Sequence, residues 1–206
     1  MIANHIHDAL NQVKKMQELI LEKKHFRGYS GKARIMSGIA AILASTVLSS
    51  RNVPQDNITH LTGWGIVLLI GLILNYGSVA CWFMFDKDVR RNPIMLKPAL
   101  DAIPALTVGA VLTVTMLLYD MFNLLPGVWM CLYGLAQAAY RLSLPRGIYM
   151  VGLIYILCGA YCLLHQFDFT NPWPMGLVFF SGEIIGGFIL IKTNHNTDRS
   201  NDDKSQ

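Results

Sequence analysis

The run LTGWGIVLLIGLILNYGSVACWFMF, residues 61–85, contains no charged side chain. It exceeds the roughly 20 helical residues that cross a hydrocarbon core about 30 Å thick. A helix on the surface of a soluble domain would carry a polar face, whereas a helix that is apolar all round must be buried in protein or in lipid. The run therefore reads as a transmembrane helix.

Outward from it lie five more apolar runs, at residues 35–50, 99–119, 124–140, 147–165 and 173–191. The first is short and rich in Ala, Ser and Gly. Charged residues make up 15% of the chain, against about 25% in an ordinary soluble domain. The expected fold class is all-α, a polytopic membrane protein with a bundle of six transmembrane helices at 35–192. A cytoplasmic segment at 1–34 precedes the bundle with an amphipathic helix and a basic glycine elbow, and a disordered cytoplasmic tail follows at 193–206.

The basic residues orient the bundle. Sixteen of the 17 fall on one side: those before the first run, Lys87 to Lys97 between the second and third, Arg141 and Arg146 between the fourth and fifth, and Lys192, Arg199 and Lys204 after the sixth. Arg51 stands on the other side. That bias is the positive-inside pattern, so both termini are expected in the cytoplasm of a multi-pass protein of the cell (inner) membrane. The first run is expected to act as the insertion signal. The net charge of +4 then reflects topology and attraction to anionic headgroups, and no nucleic-acid partner is expected.

Ile6, Ala9, Val13, Met16 and Ile20 recur at helical spacing, with Lys14, Lys15, Lys23 and Lys24 beside the stripe. This pattern predicts a helix lying on the cytoplasmic leaflet. Arg27, Lys32 and Arg34 extend the basic set expected to meet lipid headgroups. The stretch RGYSGKAR at 27–34 is not a phosphate loop, because Phe26 stands where the first Gly of that motif belongs and Ala33 follows the Lys. The four cysteines all lie within apolar runs and read as small buried thiols.

The polar residues inside the runs carry whatever chemistry there is. Glu183 is ten residues from Trp173 and nine from Lys192, roughly 15 Å from either boundary at 1.5 Å per residue. An acid at that depth costs about 2.5–3.5 kcal/mol on insertion scales, so it needs a partner. Gly176, Gly182, Gly186 and Gly187 near it suggest a face packed on another helix. Asn75, at similar depth in the second run, is the expected partner, with Tyr76 and Tyr155 behind it. Gln137 is expected to bond a neighbouring helix, Asp101 to sit at an interface, and Pro104 to be the proline able to interrupt a span. ILNYGSVAC at 73–81 and ILCGAYC at 156–162 are a faint echo of an inverted repeat.

No hydrolase or metalloprotease motif is present, no metal site is expected, and the sequence names no cofactor. The leading functional expectation is a small transporter or channel that uses a mid-membrane polar site around Glu183. A non-catalytic accessory or regulatory membrane protein acting through its N-terminal helix is the alternative, and an intramembrane lipid-modifying enzyme the third reading. Beyond the bilayer itself, the chain is compatible with a homo-oligomer or a membrane-protein partner.

Overall fold

The computed structural model describes residues 8, 10–16, 30–85, 100, 102–139 and 144–202. Six main helices carry the fold: α1 Gly31–Leu48, α2 Asn57–Phe85, α3 Ile103–Leu118, α4 Leu125–Ala139, α5 Arg146–His165 and α6 Trp173–Asp202. A 3-10 turn, Phe122–Leu124, leads into α4. No strand occurs among the described residues.

The helix starts follow from local chemistry. The Ser30 hydroxyl oxygen accepts from the Ala33 amide at 3.4 Å and caps α1. The Asp56 carboxylate accepts from the Thr59 amide at 3.0 Å and the Thr59 hydroxyl at 2.7 Å, opening α2. Pro145 precedes α5, which ends where Gln166 takes a left-handed φ of 45° and donates its amide to the Cys162 carbonyl. Pro104 does not interrupt the described helix α3. It sits in the first turn of α3, where the missing N–H has no helical partner to lose.

Four helices are long and apolar enough to cross a membrane: α1, α2, α5 and the Trp173–His195 part of α6. Helix α3 is apolar but has 16 residues, and α4 spans 15 described residues. Large aliphatic and aromatic side chains such as Leu43, Ile73, Val111, Leu157 and Phe188 stand exposed along the helices. Contiguous apolar surface of this kind does not survive in water, and it defines a helical, membrane-embedded protein.

Two antiparallel pairs form the bundle. In α1–α6, Gly31 lies against Gly187 at one end and Ser45 against Gly176 at the other. The Ser45 hydroxyl also donates to the carbonyls of Ala41 at 3.0 Å and Pro172 at 3.2 Å. In α4–α5, Gly127 faces Gly159 and Gly134 faces Gly152. A Cβ on Gly134 would lie 2.5 Å from the Gly152 carbonyl oxygen, and one on Gly152 would lie 2.8 Å from the Gly134 oxygen. Only glycine allows these backbones to approach so closely, as small residues commonly do between helices in lipid. Along α6, one apolar cluster reaches Met175 and Phe179 and a second reaches Ile189 and Leu190. Glu183 lies between the two.

At the C-terminal end the helix runs further than the last apolar run. Helix α6 runs through Asp202, so helix occupies most of the segment expected as a disordered tail. Residues 10–16 are helical, with Leu10, Val13 and Met16 exposed alongside Lys14 and Lys15. Lys23, Lys24, Arg27, Gly28 and Asp101 lie outside the described residues, as do Ile6, Ala9, Ile20 and the basic residues Lys87, Arg90, Arg91, Lys97, Arg141 and Lys204.

Candidate functional site

On α1 the inward-facing residues that precede Leu48 are Gly31, Arg34, Gly38, Ala41 and Ser45. Their spacing of three and four places them on one helix face. Four are small. The fifth, Arg34, is 5% exposed and extends along α6 to Glu183, which is 2% exposed. Arg34 Nε donates to Glu183 Oε2 at 3.0 Å and Nη2 donates to Oε1 at 2.7 Å. This two-point geometry is the strongest that arginine and carboxylate make.

The other helix pair completes the shell around the carboxylate. The Tyr133 hydroxyl of α4 donates to Glu183 Oε1 at 2.8 Å. The Tyr155 hydroxyl of α5 lies 3.3 Å from both Glu183 Oε1 and the Phe179 carbonyl oxygen, either of which can accept its proton. The Tyr133 and Tyr155 rings meet edge to face at 5.1 Å, and both pack on Phe179 at 5.3 Å. Room for this cluster depends on missing side chains. A Cβ on Gly182 would lie 2.5 Å from the Tyr155 ring, and one on Gly186 would lie 2.8 Å from the Arg34 guanidinium. Glu183 thus joins α1, α4, α5 and α6 through one carboxylate.

The sequence reading needs two corrections here. Arg34 was expected at the lipid headgroups, yet it is buried against Glu183, because its helix face is the face that packs on α6. Lys32, two residues away on the opposite face, is exposed. Asn75 is not the partner of Glu183. Its amide donates instead to Ser37 Oγ at 3.2 Å and to the Gly71 carbonyl at 2.9 Å. Tyr155 does reach Glu183, from behind it.

Beside the pair opens a cavity of about 260 Å³, lined from α1, α2, α3, α4 and α6. Arg34 and Glu183 reach it, and so do Asn75 and Tyr76. The remainder of its wall is mostly aliphatic and aromatic, with Trp64 and Trp129 among the largest side chains. Trp129 Nε1 donates to Thr113 Oγ1 at 3.0 Å, which fixes the indole against the cavity. Gln137 also lines the space and is 3% exposed, yet neither amide atom has a hydrogen-bond partner among the described residues. Sequence reasoning had expected it to bond a neighbouring helix. A buried polar group left so costs about 1–3 kcal/mol.

His60 is fully buried beside Phe169, with ring centroids 6.3 Å apart. His165 is exposed and lies against Tyr161 and Phe167.

These features define a class, a helical membrane protein with a buried interhelical ion pair beside a partly open cavity. Comparison of the chain with protein-family models, curated proteins and solved structures finds no match.

Proposed function

We propose that the protein is a small six-span membrane transporter or channel, with both termini in the cytoplasm, whose solute passes the polar site formed by Arg34, Glu183 and Tyr133. The observation that carries this reading is the joint position of the ion pair and the cavity. Charges are rare inside membrane spans and gather where a substrate pathway or a proton relay runs, and here they line a space large enough for a small molecule. Helix α2 forms one wall and buries few residues, His60, Trp64 and Val79. It is the element best suited to move. The sixteen-to-one distribution of basic residues supports the orientation.

In this mechanism the Arg34–Glu183 pair stays closed while the cavity is empty and exchanges one of its hydrogen bonds for a contact to solute. Purified protein in liposomes tests it, with proton entry followed by an entrapped pH dye and acetamide entry followed by vesicle swelling. Wild-type vesicles are expected to pass at least one of the two faster than empty vesicles, and Glu183→Gln to lose the difference. Equal rates for wild-type and empty vesicles overturn the transport reading.

The exposed apolar stripe of Leu10, Val13 and Met16 favours a second reading, an accessory protein that docks through its N-terminal helix while Glu183 locks the bundle. Under that reading Glu183→Gln lowers stability and leaves flux at the level of empty vesicles.

A further inference from the structure

Arg34 and Glu183 are the formally charged side chains among the described residues lining the cavity, and they neutralise each other at 2.7 Å. The described lining therefore offers no net charge. An ionic head group entering it would leave water without a counter-charge of its own, which is strongly disfavoured in a low-dielectric interior. Ions are poor occupants.

Gln137 is among the polar residues that line the cavity, and its Nε2 and Oε1 are both buried and both without a partner among the described residues. That is one donor and one acceptor on a single planar group. The complement of such a group is another that carries an acceptor and a donor side by side, as a carboxamide does. Apart from Gln137, the ion pair and a few polar side chains that include Asn75 and Tyr76, the walls are apolar, with Trp64, Leu68, Leu106, Trp129 and Phe179 prominent. At about 260 Å³ the space exceeds the roughly 150 Å³ of an engineered cavity that takes up benzene, so the occupant has an apolar body larger than one ring.

We propose that the cavity binds an uncharged amphiphile whose head carries a donor and an acceptor together, of the carboxamide type, with the head on Gln137 and the body between Trp64 and Trp129. This rests on the reading of the cavity as the transport site and names the class of its substrate.

Three probes sharing one ten-carbon tail separate the possibilities: decanamide, decanoate and decyltrimethylammonium. Their binding to the full-length protein in detergent is read from tryptophan fluorescence and checked by equilibrium dialysis. Decanamide is expected to bind at least tenfold more tightly than either ion. Gln137→Leu is expected to remove that preference while keeping the affinity for the tail within about threefold. Gln137→Met, unbranched and of similar length, serves if the leucine variant does not fold. A charged probe binding best overturns the substrate class but leaves the transport reading standing. Binding of no probe, or a decanamide preference that survives both Gln137 variants, overturns the assignment of the head group to Gln137. Selective decanamide binding without acetamide or proton flux retains the binding site and removes transport alone.

Discussion

Arg34 and Glu183 are 149 residues apart in the chain and 2.7 Å apart in the bundle, and the bond between them joins the first main helix to the last. Breaking a buried ion pair from one side costs about 3–5 kcal/mol, because the remaining charge is left alone, whereas replacing both partners with apolar residues is often neutral. Arg34→Met is therefore expected to lose about that much stability in detergent unfolding followed by tryptophan fluorescence. The double variant Arg34→Met with Glu183→Met is expected to lose less than the sum of the two single variants. Additive losses would mean that the two residues do not act as a unit.

The glycine contacts make a second test. Gly134→Ala forces a methyl group against the Gly152 backbone, and overpacking of this kind costs about 1–3 kcal/mol. Gly77 in α2 has nothing within 4 Å of where a Cβ would stand. Gly77→Ala is expected to be neutral or to stabilise by up to about 1 kcal/mol through helix propensity. The two alanine variants, compared by thermal melting in one detergent, should move in opposite directions or differ by several degrees. Equal effects would contradict the close approach of α4 and α5.

Asp56 gives a dependence on pH. Hydrogen bonds from the Thr59 hydroxyl and the Thr59 amide hold its carboxyl below the ordinary carboxylate value. A group whose folded pKa is depressed stabilises the fold above its unfolded pKa, about 3.9, and loses that contribution as pH falls through the lower folded value. The start of α2 should therefore exchange its amides faster as pH drops below about 4, after correction for intrinsic exchange. Asp56→Ala should show fast exchange at all pH values. A profile identical in the wild type and the variant would remove Asp56 from the cap.

Orientation is open to direct measurement. With both termini proposed to be cytoplasmic, a reporter active only outside the cytoplasm should give signal when fused after Asn171, before α6, and none when fused after Asn194. The reverse pattern would invert the bundle.

Apolar periodicity located the helices well because hydrophobic run length is a one-dimensional property. The run at 147–165 became Arg146–His165, and that at 61–85 became Asn57–Phe85. Glu183 stood out for the same reason, as an acid far from any boundary. Its partner did not, since equal depth does not say which helices are neighbours: Asn75 shares the depth of Glu183, but α2 rests on α1 and turns that amide to Ser37. The signal that pointed to Arg34 was present in the spacing of Gly31, Arg34, Gly38, Ala41 and Ser45, a face of small residues with one arginine in it. Its place at the end of a basic segment concealed it. Tyr133 and the unpartnered Gln137 emerge only when α4 is placed against α5 and α6, a matter of packing that no single run encodes.

The pairing of the first main helix with the last also imposes an order in time. The ribosome makes Arg34 long before Glu183, and at about 5–20 residues per second the 149 intervening positions take roughly 7–30 s. Through that interval α1 must hold an arginine without its acid, facing a groove that α6 has yet to fill. The final helix is thus the clasp of the bundle. A chain cut short before it would leave Arg34 without its acid.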